Sequence, residues 1–97
     1  MNRAVHVVAT FQSKSGKERE SETILRGLIE PSLRDEGCVH YTLYRRMDRP
    51  GLFYFVEEWK SAADFRKHTS TPHLTAVMER KEELFETVDL AFVSPVR

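Results

Sequence analysis

Four apolar stretches of the chain are typical of β-strands. They are rich in β-branched and aromatic residues, and turn-forming residues follow each of them,. The stretches are Ala4–Phe11, Cys38–Arg46, Leu52–Trp59 and Glu86–Pro95. Between the second and third, Pro50 and Gly51 stand in the order that a type II turn favours. Because this connection is short, we expect these two strands to be antiparallel neighbours.

Apolar residues at helical spacing predict a helix between the first two strands. Its buried stripe consists of Ile24, Leu25, Leu28, Ile29 and Leu33. Ser15 and Glu18 have the spacing of a capping box that starts the helix, and Gly37 is expected to end it in the left-handed conformation. Pro31 lies inside the stripe, where its ring clashes with the carbonyl of Gly27. We therefore expect Pro31 to bend this helix without ending it.

Two further helices are predicted between the third and fourth strands. Ser61, with Asp64 at the capping-box position, starts a short helix that runs to about His68,. Thr71 caps the next helix, with Pro72 at its first position. The apolar stripe of that helix is Leu74, Val77, Met78 and Leu84.

The order of these elements predicts the fold class. A strand, a helix, two strands, two helices and a last strand form the ferredoxin-like split βαβ arrangement, with its second helix broken in two. We therefore expect an α+β protein with one four-stranded antiparallel sheet. Residues 1–97 form a single domain in this interpretation.

The apolar pattern also predicts a homodimer. Alternate residues of a strand point to opposite faces of the sheet, and the first, third and fourth strands carry apolar residues on both faces,. The helices of this topology cover only one face, whereas a solvated face normally carries polar residues. We expect the second face to pack against the same face of another copy, across a two-fold axis.

The composition of the chain argues against some classes of binding partner and indicates where in the cell the protein is located. The 97 residues include 15 basic and 15 acidic side chains, and without a concentrated basic surface we expect no nucleic-acid partner. No apolar run reaches the roughly 18 residues that cross a membrane, so no membrane partner is expected. Cys38 is the only cysteine, which fits a reducing compartment. Strand-like sequence begins by Ala4 and leaves no room for a signal peptide, so we predict a cytoplasmic protein.

Four stretches in this order and spacing resemble the antibiotic biosynthesis monooxygenase family. They are VVATFQSKSGKE, EGCVHYTLYR, FYFVEEWKS and HTSTPHL, and the resemblance covers nearly the whole chain. It implies a dimeric α+β barrel in which two sheets face each other, with a small cavity in each subunit between sheet and helices. The family includes cofactor-independent oxygenases of polycyclic phenols, quinol oxidases, haem-degrading enzymes, isomerases and members without known activity, so the fold does not select a reaction.

Three residues are the candidates for catalysis. Trp59 matches the family's strand-end tryptophan, and its indole offers a flat surface and one N–H donor; the alternative is a large core residue at a corner. His68 and His73 flank a helix break close to Trp59, and imidazole exchanges protons near neutral pH. Asp64, one turn before His68, could orient that ring. Surface or capping roles are the alternative for both histidines.

Four other residues are candidates for substrate binding. His6 lies on an apolar strand that could line a cavity, and Tyr41 and Tyr54 could donate to a phenolic oxygen. Phe65 could supply part of an aromatic wall. Structural packing is the alternative for all of them. One of the adjacent residues Glu57 and Glu58 must point inward, where we expect an arginine to pair with it.

Metal and cofactor sites have little support in the sequence. No two histidines have zinc-like spacing, no Cys–His cluster occurs, and no glycine-rich phosphate loop follows a strand. Haem-degrading relatives use a histidine of the last helix as the iron ligand, and the matching position here is Met78. We therefore predict no metal and no cofactor, and haem degradation is disfavoured.

Two functional classes remain open at this point. The first is a monooxygenase that uses O₂ on a quinol or polyhydroxylated aromatic molecule, because an electron-rich phenolate can reduce O₂ directly. Such an enzyme needs an apolar cavity, a base for the phenol and a donor for the oxyanion. The second is a non-catalytic module of the same fold that binds a small ligand or serves dimerisation.

Overall fold

A computed structural model describes residues 3–96, so residues 1, 2 and 97 of the domain predicted over 1–97 lie outside it. Its centre is a four-stranded antiparallel sheet in the order β2-β3-β1-β4. The strands are β1 (Val5–Ser13), β2 (Cys38–Arg45), β3 (Leu52–Trp59) and β4 (Phe85–Val93). The helices are α1 (Glu18–Arg26), α2 (Ile29–Leu33), α3 (Ala62–Thr69), α4 (Pro72–Met78) and α5 (Lys81–Leu84). This confirms the predicted ferredoxin-like α+β fold.

The turn between β2 and β3 confirms the type II prediction. The Leu52 N–H donates to the Arg49 carbonyl at 3.3 Å, closing a four-residue turn with Pro50 second and Gly51 third. Gly51 has φ of +82°, which the third position of this turn requires. The turn sets the register in which Arg45 faces Phe53 and Tyr41 faces Glu57.

The prediction of one continuous helix bent at Pro31 is wrong. Helix α1 ends at Arg26, and α2 starts at Ile29. Proline at position 31 has no N–H to donate to the Gly27 carbonyl, so the helical ladder is interrupted one turn before it. The Leu28 N–H instead reaches the Leu25 carbonyl, a tighter bond typical of a helix end,.

The start of α1 and the end of the apolar stripe also differ from expectation. Ser15 does not cap α1, because the N-cap residue is Lys17 and makes no side-chain cap bond. The Glu18 carboxylate accepts from the Gly16 N–H instead. Leu25 and Leu28 are buried as predicted, but Leu33 is exposed because α2 turns it away from the core.

The two predicted caps between β3 and β4 are confirmed. The Ser61 hydroxyl accepts from the Asp64 N–H at 3.1 Å, and the Thr71 hydroxyl accepts from the Leu74 N–H. Pro72 is the first residue of α4. Helix α4 is shorter than its predicted apolar stripe. It ends at Met78, and Leu84, the last residue of that stripe, lies in the separate helix α5.

The core lies on one face of the sheet, beneath the helices. Its largest fully buried side chains are Trp59, Phe53, Phe55, Leu25, Leu28 and Leu84. The helices leave the other face of the sheet open, and apolar side chains such as Val56 and Tyr44 are exposed there. None of the helices within residues 3–96 is long and apolar enough to cross a membrane.

Candidate active site

An apolar cavity of about 240 Å³ lies between the inner face of the sheet and helices α3 and α4. This is somewhat smaller than the ~300–1,000 Å³ of drug-sized sites, so it suits a ligand of one or two rings. Three buried side chains with ionisable groups, Tyr41, Glu57 and His68, interrupt its apolar wall. The lining residues are Ala9, Phe11, Tyr41, Phe55, Glu57, Phe65, His68, Thr69, Leu74, Met78, Val88, Asp89 and Leu90.

Asp35 connects two histidines beside this cavity. It lies in the turn between α2 and β2, and its Oδ2 accepts from Nδ1 of His68 at 2.8 Å and from Nε2 of His73 at 2.9 Å. His68 is in the last turn of α3, and His73 is in the first turn of α4. One carboxylate oxygen therefore ties together three segments of the chain.

The expected partner of His68 was Asp64, and this expectation is wrong. The Asp64 carboxylate accepts from the Ser61 hydroxyl at 3.0 Å and completes the cap of α3. Asp35 takes the role instead, although 33 residues separate it from His68.

Aromatic rings hold His68 in place. Its ring centroid is 4.5 Å from that of Trp59 and 5.4 Å from that of Tyr41, and only 2% of the residue is exposed. Burial lowers the pKa of His68, and its hydrogen bond to Asp35 offsets this only in part,. The neutral ring therefore donates through Nδ1 to Asp35 and carries its lone pair on Nε2. Nε2 has no hydrogen-bond partner among residues 3–96, so it is the nitrogen available to a ligand.

Glu57 is the buried member of the Glu57–Glu58 pair. It faces the cavity from β3, and its Oε1 accepts from the indole N–H of Trp59 at 2.9 Å. An arginine partner was expected, but the indole is the hydrogen-bonding partner that the structure provides. Burial raises the pKa of Glu57 to about 7, and the Trp59 bond opposes this rise more weakly,. This carboxyl can therefore give or take a proton near neutral pH.

Tyr41 contributes a third polar group to the cavity wall. Its ring stacks at 4.6 Å from Phe55 on the neighbouring strand. Burial, together with the charge of Glu57, raises the pKa of the Tyr41 hydroxyl well above its usual range. The hydroxyl consequently stays protonated and is a hydrogen-bond donor at neutral pH.

The structure brings only some of the predicted site residues to the cavity. His68, Tyr41 and Phe65 line it. Trp59 is completely buried behind His68, and its N–H is taken up by Glu57. His73 lies outside the lining and reaches the site only through Asp35.

Two residues predicted to bind substrate, His6 and Tyr54, lie away from this cavity. His6 pairs with Glu58 and Val93 in the sheet register, and Tyr54 pairs with Thr10. These positions alternate with the cavity-facing residues, so both side chains lie on the open face of the sheet. The Tyr54 hydroxyl accepts from Arg46 there, at 3.2 Å.

Sequence reasoning missed two groups of the site. Asp35 gave no signal, because a carboxylate in a polar turn is ordinary and its two partners lie more than 30 residues away. Glu57 gave a partial signal, because strand alternation requires one of two adjacent glutamates to point inward. Its position among aromatic cavity residues follows only from the β2–β3 register.

Comparisons with known proteins agree with this architecture. The family described as antibiotic biosynthesis monooxygenase matches residues 4–80. A Synechocystis protein named as uncharacterised is 28% identical over 80% of this chain and 53% of its own length, so the chain spans about half of that relative. Bacillus subtilis YcnE, which is provisionally named a monooxygenase, is 26% identical over 78% of this chain and 80% of its own. A crystal structure of a Pseudomonas aeruginosa protein has a TM-score of 0.94 at 27% identity, covering 100% of this chain and 98% of that one.

Proposed function

The chain belongs to the antibiotic biosynthesis monooxygenase family, and we propose that it oxidises a quinol or polyhydroxylated aromatic molecule with O₂, without a cofactor. One observation carries this proposal. An aromatic cavity of about 240 Å³ holds a neutral imidazole and a carboxyl group whose pKa is about 7. Apolar walls, a base and a proton donor are what the direct reaction of a phenolate with O₂ requires.

For a phenol with hydrogen at its para carbon, the reaction yields a quinone and water; in a quinol, whose para carbon already bears oxygen, an ortho carbon with its hydrogen takes the same role. The phenolate gives one electron to O₂, and the two radicals join through a new C–O bond at the para carbon. The O–O bond then breaks while the para C–H proton leaves. One oxygen atom remains as the quinone carbonyl, and the other leaves as water with the two hydrogens that the ring has lost. The substrate thus supplies all the electrons.

His68 is the base in this scheme. Its Nε2 takes the phenol proton, returns it to the peroxide formed at the para carbon, and then takes the proton of that carbon, which replaces the proton that Glu57 gives up. The Nδ1–H bond to Asp35 fixes the tautomer,. Asp35 and His73 are positioning residues, because they hold the imidazole but do not line the cavity. The neutral imidazole favoured by burial is the form that can accept a proton.

Glu57 and Tyr41 act on the oxygen side of the reaction. The protonated Glu57 carboxyl gives a proton to the departing hydroxide, and Tyr41 donates to the developing oxyanion,. Trp59 is a positioning residue for Glu57, because its N–H fixes Oε1. Phe65 and Phe55 provide apolar walls for the aromatic ring of the substrate.

We further propose that the functional unit is a homodimer in the cytoplasm. The open face of the sheet carries exposed Val56, Tyr44 and Val93, which would be covered by the same face of a second copy,. The cytoplasmic location is supported by the single cysteine, Cys38, which fits a reducing compartment,.

Oxygen consumption tests the proposed reaction. Metal-stripped, dialysed protein is mixed with 1-naphthol, and with a panel of hydroquinones, while dissolved O₂ and quinone absorbance are recorded. We expect one O₂ consumed for each quinone formed from 1-naphthol, with no hydrogen peroxide released. Folded protein that gives no uptake above the uncatalysed rate across the panel would overturn the proposal. Binding of the same phenols without turnover would favour the non-catalytic ligand-binding module.

A further inference from the structure

The side chains of Asp35, His68 and His73 form a cluster of three metal-binding groups beside the cavity. One carboxylate oxygen and two imidazole nitrogens lie within 4.8 Å of one another. The two N···O distances, 2.8 and 2.9 Å, are those of hydrogen bonds. They are also close to the separation of about 3.3 Å between ligands of a tetrahedral ion with bonds of 2.0–2.1 Å.

We propose that Asp35, His68 and His73 bind a divalent transition-metal ion of the Zn²⁺ type. Two imidazoles and one carboxylate are a ligand set that zinc takes with a fourth position left to water. The expectation that no two histidines have zinc-like spacing is wrong for His68 and His73, because four intervening residues fall within the range of zinc sites,. Asp35, which is 33 residues before His68, could not be inferred from spacing. Small rotations of the two imidazole rings would bring their nitrogens to ligand separation.

The site is accessible without entry through the cavity. The side chains of Asp35 and His73 are 15% and 21% exposed, whereas that of His68 is 2% exposed. An ion can therefore arrive from the outer side and meet Asp35 and His73 first. His68 then becomes its inner ligand, and its ring is already held by Trp59 at 4.5 Å, which is the kind of support that fixes a ligand's orientation.

Metal binding changes what His68 offers to the cavity. The ion takes the Nδ1 lone pair, so the single proton of the neutral ring moves to Nε2. The cavity-facing nitrogen then donates a hydrogen bond and no longer accepts a proton. This step rests on the proposed function, and it makes the ion an inhibitor of the oxidation rather than its cofactor.

Cobalt spectroscopy and zinc calorimetry test the site independently of activity. Tag-free protein is stripped with a chelator and titrated with Co²⁺, whose visible bands strengthen in a low-symmetry nitrogen–oxygen site, and with Zn²⁺. We expect one ion per chain and a raised thermal midpoint. His73→Gln keeps a donor near Asp35 but removes the ligand, so it should weaken Zn²⁺ binding at least ~100-fold. Asp35→Asn should do the same.

His40→Gln is the matched control. His40 is a histidine 3.8 Å from a carboxylate, Glu58, on the opposite face of the sheet, so it tests adventitious binding to a histidine–carboxylate pair. Its Zn²⁺ affinity should equal that of the wild type. Equal affinities for wild type, His73→Gln and Asp35→Asn would overturn the site. Zn²⁺ that saturates an active wild-type protein without slowing O₂ uptake would overturn the inhibitory role, while the binding result would still stand.

Discussion

Glu57 has an ionisation that is coupled to folding. It is 4% exposed, and its pKa rises from 4.5 in its usual setting to about 7 in the folded protein, chiefly through burial. A raised folded-state pKa favours the protonated carboxyl. Its contribution to stability is therefore complete below pH 4.5 and is lost as pH rises through about 7. Each pKa unit corresponds to ~1.4 kcal/mol, so the free energy of unfolding falls by about 3 kcal/mol.

We predict that Glu57→Gln removes this pH dependence. Glutamine keeps an oxygen for the Trp59 N–H and cannot ionise. Between pH 4.5 and pH 8, the free energy of unfolding of the wild type should fall by about 3 kcal/mol more than that of the variant. Urea unfolding at both pH values measures the difference. Trp59→Phe removes the hydrogen bond that lowers the pKa of Glu57, so this pKa should rise further. The stability of that variant should then continue to fall up to a higher pH than in the wild type. Parallel pH curves for wild type and Glu57→Gln would refute the buried-carboxyl account.

A second prediction at this scale concerns the base. In His68→Asn the amide nitrogen replaces Nδ1 and can still donate to Asp35, while Nε2 is lost. The turnover rate with 1-naphthol should fall by roughly 10²–10⁴, the usual contribution of a general base, with a smaller change in the dissociation constant of the phenol. Circular dichroism checks the fold, and His40→Asn is the control. An unchanged turnover rate would remove His68 from the mechanism.

The sequence predicted individual site residues when their chemistry followed from local position. His68 and Phe65 lie on one short helix with a recognisable cap, so their common face could be inferred. His6 and Tyr54 could not be assigned to a face from their own strands, because both faces of those strands carry apolar residues. The role of Asp35 depends on a contact across 33 residues, which no local pattern encodes.

At the scale of elements, a contact between the α2–β2 turn and the β3–α3 turn positions His68 and His73. The Gly37 carbonyl accepts from the Lys60 N–H at 2.8 Å, which holds the turn containing Asp35 against the start of α3. Gly37 has φ of +80°, and a Cβ placed there would lie 2.2 Å from Oδ2 and 2.5 Å from Cβ of Asp64. Only glycine allows this approach.

We predict that Gly37→Ala destabilises the protein more than Gly16→Ala. Both positions have positive φ, but a Cβ at Gly16 meets nothing within 4 Å. The backbone strain is therefore shared, at about 1–2 kcal/mol, and the difference isolates the clash with Asp64. We expect an additional 1–3 kcal/mol for Gly37→Ala, measured by urea unfolding. Equal losses in the two variants would show that Asp64 moves aside without cost.

The spacing of apolar residues predicted a longer first helix than the structure contains. The apolar stripe from Ile24 to Leu33 is continuous in sequence, yet the backbone breaks after Arg26. The stripe records which residues face the core, and a broken helix can still present several of them inward. The clash of the Pro31 ring with the Gly27 carbonyl was predicted, but together with the missing N–H of Pro31 it gives a break one turn earlier rather than a bend,.

At the scale of the whole molecule, the two faces of the sheet have different coverings. The order of elements along the chain predicted a four-stranded antiparallel sheet with helices on one face, and the structure places its strands in the order β2-β3-β1-β4. Strand alternation correctly placed apolar side chains on the uncovered face, where Val56 and Val93 are 43% and 46% exposed. Polar residues such as Glu58 and Thr10 share that face. The sequence therefore predicts a partner surface, while the partner itself is our proposal.

We predict that the protein is a dimer of twice its 11.3 kDa chain mass and that Val56→Lys weakens it. Val56 lies centrally on the open face, between Val8 of β1 and Thr42 of β2. A two-fold interface would bury the new lysine of each copy without a partner, at a cost of about 2 kcal/mol or more, or roughly 30-fold in the dissociation constant. Met47→Lys in the β2–β3 turn, where the side chain is 98% exposed, is the control and should stay dimeric. Light scattering with analytical ultracentrifugation measures both variants. A wild-type monomer at low micromolar concentration, or a Val56→Lys dimer as tight as wild type, would mean that this face is not the interface.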